Sequence, residues 1–493
     1  MSPSTEPFNK AKFEALMDGH ECSEIFISQL NEEFRFDAEY YRPRYLKLES
    51  ILKHEEDLGS IVEMHDVTSN GSFKYVQDTL NIEGEETIPY IRSGNVGKMF
   101  LNTNELTSIS RKAHNLLPLS QVQLHDVMMA RKGKIGGASI ITEKEVGYNC
   151  NENVVRLTII DKKKYNPFYV ATFFNCKYGL EQVERFSTGN VQPWLSMLQL
   201  RKLKCKKFSI SFQNKIQDAV EIAQLINDKA EVRYKQTEEL LLNEIKIDMS
   251  DFESGGVSIK SFVKSFGETG RLDAEYYQPK YDKIYGAILK MNHQKLRKIV
   301  DINKSIEPGS DAYRTEGIPF IRISDINKFG ISEPNKYLEI GGEYDNPELY
   351  LKKDEILFSK DGSVGIAYKV EEDRKIISSS ALLHLEVKDK AEVLPDYLTT
   401  VLNSEIIQVQ AERDAGGSII KHWKQKEIEE VLVPILDMKS QKEIATKARE
   451  SFGLRKQSWR LLECAIHAVE MAIEEGEPTA IKWIDKKIAE LTR

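Results

Sequence analysis

The stretch Arg35-Phe36-Asp37-Ala38-Glu39-Tyr40-Tyr41-Arg42-Pro43-Arg44-Tyr45 returns later in the chain as Arg271-Leu272-Asp273-Ala274-Glu275-Tyr276-Tyr277-Gln278-Pro279-Lys280-Tyr281. The shift is 271 − 35 = 236 residues, close to half of the 493-residue chain. A match this long and this unusual in composition indicates that one folding unit occurs twice. A protein built from two related halves is expected to meet a partner with two related halves, or two different sites on one partner.

Further landmarks recur behind the first match in the same order. They are residues 88–96 with 318–326, Asp126–Lys132 with Asp354–Lys360, Asn166–Tyr169 with Leu394–Tyr397, and Gln213–Ile216 with Gln441–Ile444. The shifts remain between 354 − 126 = 228 and 236 residues, so insertions are few. The pattern predicts one ancient duplication of a large unit and not a short-period solenoid.

Composition limits the class of protein. A hydrophobic content of 41% and a charged content of 30% describe a soluble globular chain of two to four domains. The sequence has no long apolar run and no secretory signal pattern, so we expect a cytoplasmic protein without a membrane partner. The five scattered cysteines argue against a disulfide framework or a zinc site. The net charge of −8 leaves room for a nucleic-acid partner, because local basic clusters determine such binding.

Each unit is predicted to begin with an α+β domain. Short apolar runs at 138–142 and 154–160, and again at 364–368 and 382–387, indicate strands. Helices are expected after Pro167 and Pro395, because proline is favoured in a first helical turn.

Each unit is then predicted to end in a long helix whose apolar residues recur in steps of three and four. These residues are Ile216, Val220, Ala223, Ile226, Ala230, Tyr234, Thr237, Leu241 and Ile245 in the first helix, and Ile444, Ala448, Phe452, Trp459, Leu462, Ile466, Val469 and Ile473 in the second. Such heptad seams favour a coiled coil of the two helices with each other. The alternative is that each helix packs only on its own domain.

The resulting fold class is α+β, with two duplicated α/β domains separated by two long helices. The predicted segments are an N-terminal extension (1–34), domain 1 (35–208), a central helix (209–249), a joint (250–270), domain 2 (271–436), a C-terminal helix (437–475) and a tail (476–493).

Motifs for catalysis are sparse. The chain lacks a P-loop, H-E-x-x-H and G-x-S-x-G, and no cofactor is expected. Asn166-Pro167-Phe168-Tyr169 resembles the Asn/Asp-Pro-Pro-Phe/Tyr loop with which amino-methyltransferases hold a target base. The second proline is missing, however, and a helix start is the better interpretation.

Two kinds of loop favour DNA binding. Residues 131–137 and their counterpart 359–365 are rich in glycine and contain lysine, which suits a phosphate, although a hairpin turn would have the same composition. Residues 187–192 and 416–422 carry side chains that can read base edges or hold phosphates. These loops differ between the units, as reading two different sequences would require; neutral drift would have the same effect.

The chain resembles the specificity (S) subunit of type I restriction-modification systems. The Asp-Ala-Glu-Tyr-Tyr-x-Pro-x-Tyr segments at 37–45 and 273–281 carry this resemblance, with Pro-x-Ile-Arg at 89–92 and 319–322 and Gln-x-x-Ile at 213–216 and 441–444. It covers about residues 35–475.

The resemblance implies two target-recognition domains, each reading one half of a split sequence in double-stranded DNA. It also implies that the two long helices pair antiparallel as a ruler, and that methylation and cleavage reside in separate methyltransferase (M) and restriction (R) subunits. The chain itself would be non-catalytic, would dock two copies of the M subunit, and would meet the R subunits through the complex. Open alternatives are the recognition subunit of a type IIB-like system, a fused methyltransferase or nuclease, and a purely structural adaptor.

The predicted DNA-binding residues lie on the loops described above and on the Pro-x-Ile-Arg segments. They are Arg92, Lys132, Lys134, Thr188, Asn190 and Gln192 in domain 1, and Arg322, Lys360, Gly417, Ser418, Lys421 and His422 in domain 2. Arg92 and Arg322 could instead be structural arginines that pair with a carboxylate.

Overall fold

A computed structural model of the chain describes residues 9–30, 35–103, 106–133, 135–189, 192–246, 257–267, 269–332, 334–417 and 421–493. The chain forms two compact units, unit 1 (Met1–Gln224 with Gln457–Arg493) and unit 2 (Leu225–Lys456). Within the described ranges, no helix combines the length and the apolar character needed to cross a membrane.

Most helices of the described residues recur in the same order in both halves of the chain, but two of them, at 73–80 and 111–116, have no α-helical counterpart among the described residues of the second half. In chain order the helices are α1 (Lys10–Leu16), α2 (Pro43–Leu52), α3 (Leu58–Ile61), α4 (Phe73–Leu80), α5 (Arg111–Leu116), α6 (Pro167–Asn175), α7 (Lys177–Phe186), α8 (Met197–Lys202), α9 (Ile210–Ile245), α10 (Pro279–Ile288), α11 (Leu296–Ile299), α12 (Pro395–Leu402), α13 (Glu405–Asp414), α14 (Gln425–Glu429), α15 (Met438–Glu475) and α16 (Glu477–Leu491).

The strands are short. They are β1 (Glu56–Asp57), β2 (Val62–His65), β3 (Thr87–Ile91), β4 (Thr107–Ser110), β5 (Val127–Ala130), β6 (Ala138–Ile140), β7 (Asn149–Cys150), β8 (Val154–Ile159), β9 (Lys204–Cys205), β10 (His293–Lys295), β11 (Val300–Lys304), β12 (Ile318–Ile321), β13 (Ile326–Asn327), β14 (Gly330–Ile331), β15 (Tyr337–Leu338), β16 (Tyr350–Leu351), β17 (Ile356–Ser359), β18 (Ala367–Lys369), β19 (Arg374–Ser378), β20 (Leu382–Val387) and β21 (Leu432–Pro434).

The two units repeat one sheet topology. Unit 1 has an antiparallel sheet in the order β2-β8-β5-β6, and unit 2 has β11-β20-β17-β18. In the second sheet, β3 pairs antiparallel with β4 and parallel with β7, and β12 does the same with β15 and β19. The duplication inferred from the sequence is therefore a duplication of an α+β fold, as predicted.

The apolar helices α6 and α12 cover the first sheet of their units, where they pack on β6 and β18. All nine residues of α6 are buried, which explains why its sequence is apolar on every side. Asn166 caps this helix, because its Oδ1 accepts from the backbone N–H of Phe168 at 2.9 Å. Phe168 and Tyr169 are buried in the core, so the Asn-Pro-Phe-Tyr segment is a helix start, as the sequence favoured.

The first glutamine of each Gln-x-x-Ile motif ties its long helix to the loop before α6 or α12. Gln213 accepts from the backbone N–H of Asn166 at 2.7 Å, and Gln441 accepts from that of Leu394 at 3.0 Å. Both glutamines are buried, and each amide also donates to backbone carbonyls. A buried amide that is satisfied in this way fixes where the long helix starts.

The repeated Asp-Ala-Glu-Tyr-Tyr segment holds a tyrosine between two guanidinium groups. In unit 1, Arg35 and Arg185 each lie 4.4 Å from the ring centre of Tyr40. In unit 2 the corresponding ring contacts are made by Arg271 and Arg413 on Tyr276, at 4.4 and 5.0 Å. The hydrogen bond from Arg35 lowers the pKa of Asp37, and that from Arg271 lowers the pKa of Asp273. The segment therefore has a structural role in both units.

The long helices α9 and α15 contribute residues to both units. In unit 2, the Ser451 hydroxyl donates to the carbonyl of Ala230 at 2.7 Å. Arg233 pairs with Glu450 at 3.1 Å, so a later residue of α9 meets an earlier residue of α15. The helices are thus antiparallel within unit 2, whereas a continuous coiled coil remains a prediction. In unit 1, the Ser458 hydroxyl donates to the carbonyl of Ala223 at 2.6 Å.

Trp459 does not lie in the helix seam where the sequence pattern placed it. Its side chain is 45% exposed, whereas the neighbouring Ser458 is buried. Ser458 follows Ser451 by one heptad, and both hydroxyls satisfy a carbonyl of α9. The seam here therefore uses small residues, which an apolar periodicity overlooks.

The tail forms α16 and packs within unit 1. Lys215 of α9 pairs with Asp485 at 3.1 Å, and the rings of His467 and Trp483 lie 4.9 Å apart. The tail therefore docks on both long helices.

Candidate nucleic-acid interface

Three loops meet at one end of the first sheet in unit 1. The loop after β5 is joined to residues 188–195 by backbone hydrogen bonds from Gly133 to Pro193 (3.1 Å) and from Leu195 to Arg131 (2.7 Å). Thr188 and Trp194 exchange two further backbone bonds at 3.0 and 2.9 Å. These backbone hydrogen bonds hold together the loops on which the sequence placed the DNA-binding residues. We call this set of bonded loops the frame.

The third loop carries Arg92. Its neighbour Ser93 faces Gly133: a β-carbon built on Gly133 would lie 3.6 Å from the Ser93 hydroxyl and 3.6 Å from the Gln192 amide nitrogen. The structure thus brings the loops of Arg92, Lys132 and Gln192 together, although they are distant in sequence.

Unit 2 has the same frame. Trp423 donates to the carbonyl of Lys360 at 2.7 Å, and Gly362 donates to that of Lys421 at 2.8 Å. Gly416 and His422 exchange backbone bonds at 3.0 and 2.7 Å. Ile323, next to Arg322, approaches Gly362.

Glycine is required at one position in each frame. Gly189 and Gly417 adopt φ angles of +95° and +114°, in the region that favours glycine. At Gly189 a β-carbon would lie only 2.6 Å from the carbonyl oxygen of Gln192. Gly417 therefore shapes the backbone of the loop on which the sequence placed it. It has no side chain that could read a base.

The frame corrects the alignment of the two basic loops by one residue. In the first sheets, Val127 pairs with Leu157 and Ile356 pairs with Leu385. The shift is therefore 385 − 157 = 228 on one strand but 356 − 127 = 229 on the other. The shift of 229 already holds at the left-handed residues His125 and Asp354 (φ +67° in both), so it applies from these residues through the strand to the loop, where the sequence alignment used 228. Lys360 consequently corresponds to Arg131, and Lys132 corresponds to Asp361.

The predicted residues of unit 1 are largely available to a ligand. Arg92, Lys132 and Gln192 are exposed. Within the described residues, neither the Arg92 guanidinium nor the Lys132 ammonium has an ion-pair partner. Thr188 is half-buried, and its hydroxyl lies 3.4 Å from the carbonyl of Trp194, so part of its bonding capacity is used inside the loop. Lys134 and Asn190 lie outside the described residues.

In unit 2 the predicted cations are mostly paired. Arg322 lies 3.6 Å from Asp325 and donates to Asn335 at 3.0 Å, which supports the structural alternative for this arginine. Lys360 and His422 both contact Asp361. Lys421 is exposed, and Ser418 lies outside the described residues.

Other basic residues that lie close to one another in the sequence have structural partners. Arg131 pairs with the buried Asp66 at 3.1 Å. Lys204 and Lys206 pair with Asp57 and Glu55 at 3.1 and 2.8 Å. A cluster of basic residues in the sequence is therefore not sufficient to identify a DNA-binding residue.

Sequence reasoning missed two residues of the frame, Trp194 and Asp361. Trp194 is 43% exposed and pairs with Lys132 in the backbone ladder, whereas Trp423 is buried. The two tryptophans are not equivalent, since Trp194 corresponds to His422 and Trp423 to Leu195. Matching Gly133 with Gly362, which is a shift of 229 residues, is the sequence signal that indicates this one-residue offset. Within the described residues, no group of three or more His, Cys, Asp or Glu side chains is placed to hold a metal ion.

Comparison with known proteins adds the following. No curated protein is significantly similar to the chain. The S subunit of a type I restriction-modification system from M. genitalium is 11% identical, with 87% of this chain and 95% of that chain covered and a TM-score of 0.34. The HsdS subunit from Thermoanaerobacter tengcongensis is 13% identical, with coverages of 85% and 96% and a TM-score of 0.26.

Residues 290–447 match the model of the family described as the type I restriction modification DNA specificity domain. This range contains most of unit 2, including all three loops of its frame. The match confirms, for this part of the chain, the family that the repeated segments indicated.

Proposed function

We propose that the chain is a non-catalytic DNA specificity subunit of a type I restriction-modification complex, in which units 1 and 2 each read one half of a bipartite target. The observation that carries this proposal is the shared three-loop frame. Unit 2 presents it within a matched specificity domain, and unit 1 repeats its backbone bonds with different side chains. A common frame with different side chains suits two domains that read two different half-sites.

The exposed side chains fit contacts in the major groove, where all four base pairs can be distinguished. Lys132 and Arg92 would hold phosphates or guanine, and Gln192 would pair with adenine. The segments 35–208 and 271–436 would be the two target-recognition domains. The paired helices 209–249 and 437–475 would act as the spacer between half-sites and dock two M subunits, while the R subunits join through the complex.

Methylation profiling of a host genome with and without this chain tests the proposal. The M subunit is present in both strains. We expect a methylated motif of two short specified parts separated by unspecified bases, and its loss when the chain is removed. An undivided motif, or methylation that does not depend on the chain, would contradict the proposal.

A control separates this proposal from a fused enzyme. The purified chain is incubated with DNA and S-adenosylmethionine, with and without the M subunit. Methylation should require the M subunit; methylation by the chain alone would instead show that it is an enzyme.

A further inference from the structure

The loops of unit 2 hold a carboxylate where those of unit 1 hold a lysine. Lys132 and Trp194 form a backbone bridge in unit 1, and Asp361 and His422 form the equivalent bridge in unit 2. The charge at this position of the frame is therefore reversed between the two units.

Asp361 is held by two cationic or polar neighbours. Lys360 Nζ lies 2.5 Å from its Oδ2, and His422 Nδ1 lies 2.8 Å from its Oδ1. Each carboxylate oxygen has two acceptor sites, so two sites remain for another donor. The Asp361 side chain is 22% exposed, so it can be reached from solvent.

The chemistry of the Asp361 carboxylate restricts which groups of DNA it can contact. A bare carboxylate would be repelled by phosphates, but the Lys360 ammonium offsets its charge and His422 lies within hydrogen-bond distance of it. An acceptor of this kind can pair in the major groove with the exocyclic amino group of cytosine or adenine. It cannot accept from the acceptor groups of guanine, which a lysine at the same position would favour.

We propose that Asp361 is a specificity-determining residue of unit 2, which accepts a hydrogen bond from the exocyclic amino group of a cytosine or adenine in its half-site. Lys360 and His422 are positioning residues that fix the carboxylate. This inference rests on the proposed function, and it gives unit 2 a base-reading carboxylate at the frame position where unit 1 has Lys132, whose expected contact is a phosphate.

The test compares methylation motifs made by the complete complex with the wild-type chain and with Asp361→Ala. The variant should lose preference at one base pair of one half-site, with discrimination there reduced about tenfold. Because a negative charge is removed, its affinity for unrelated DNA should stay equal or rise. The half-site that changes should differ from the one altered by Gln192→Ala in unit 1.

Asp361→Asn provides a second measurement, because it keeps the shape and one acceptor oxygen of the side chain. It should weaken discrimination at the same base pair less than Asp361→Ala does. A motif unchanged by both variants, or a uniform loss of binding to all DNA, would overturn the inference while the proposed function stands. If the wild-type complex methylates no bipartite motif, the proposed function fails and the inference fails with it.

Discussion

Lys132 is the residue of unit 1 whose surroundings most favour a phosphate contact. It is exposed, has no ion-pair partner among the described residues, and stands in a backbone ladder beside Trp194. Lys132→Ala should weaken binding of the complex to all DNA sequences, because a phosphate contact carries no sequence information. The slope of log affinity against log salt concentration should fall by about 0.9 in gel-shift titrations at several salt concentrations.

Two variants calibrate this measurement. Lys163→Ala removes an exposed lysine outside the three loops of the frame and should leave the salt slope unchanged. Gln192→Ala should keep the slope but relax base preference in one half-site. A sequence-selective effect of Lys132→Ala would assign this lysine to a base and not to a phosphate.

His114 makes the stability of unit 1 sensitive to acid. It is buried beside Asn149, and burial lowers the pKa of its imidazole below the usual 6.5. The folded state therefore binds fewer protons than the unfolded state, and stability is lost as the pH falls below about 6.5. His125, whose pKa burial also lowers, adds to the same trend.

Thermal unfolding between pH 7.5 and 5.5 measures this effect. His114→Gln should reduce the drop in melting temperature over that range. His54→Gln is the matched control, because its ring is exposed in the same unit. An equal drop in the wild type and in His114→Gln would contradict the assignment to His114.

At the scale of elements, the β13–β14 hairpin anchors the recognition fold of unit 2 on its helices. The Phe329 ring lies 5.1 Å from that of Tyr234 and 5.8 Å from that of Phe452, and the Arg455 guanidinium lies 3.6 Å from its centre. Burial lowers the pKa of Arg455, whose charge is thus poorly solvated and depends on this ring.

Phe329→Ala should lower the free energy of unfolding by about 2 kcal/mol, because it removes aromatic packing and leaves Arg455 without its ring partner. Urea unfolding measures the change. Ile340→Ala in the same unit truncates a side chain that is 67% exposed, and it should change stability by less than about 0.5 kcal/mol. Equal effects of the two substitutions would show that the hairpin does not anchor the unit.

The periodicity of apolar residues and the positions of proline predicted several helices of this fold. The expected helices after Pro167 and Pro395 begin at those residues, and the two long helices start within one residue of the predicted bounds. These features depend on local chemistry, namely proline in a first turn and apolar spacing along one strand or helix.

The sequence was less informative wherever residues from distant segments determine which positions correspond and which side chains are buried. The pairing of β5 with β8 and of β17 with β20 shows the one-residue offset that makes Asp361 the counterpart of Lys132, whereas matching the lysines in the sequence pairs Lys132 with Lys360. The same applies to Ser458, which lies in the helix seam because its hydroxyl finds the carbonyl of Ala223. The sequence placed the candidate DNA contacts on loops that the structure brings together, but it could not distinguish free cations from paired ones.

At the scale of the whole molecule, the net charge of −8 is compatible with a DNA-binding role, because the charges of a few exposed loops decide local binding. Much of the remaining surface would face M and R subunits under the proposed function. The helices α9 and α15 belong to both units. Under the proposed function, their length would therefore set the spacing of the two half-sites.

The antiparallel register shows where these helices can be lengthened together. Paired positions sum to a constant, since 223 + 458 = 681 and 230 + 451 = 681. The junctions after Gln224 and after Lys456 share this register, because 224 + 457 = 681. One heptad inserted at both junctions adds about 10 Å of helix, or roughly three base pairs of DNA. The methylated motif should keep both half-sites and gain a longer spacer, as methylation sequencing would show.

An insertion in α9 alone is the matched control. It shifts the contact between Ala230 and Ser451 out of register, so it should lower the melting temperature of the chain instead of giving a defined longer spacer. The double insertion restores the register, and its melting temperature should return towards that of the wild type. A stable double-insertion variant that methylates the original motif with its original spacer would show that the length of the helix pair does not determine the separation of the half-sites.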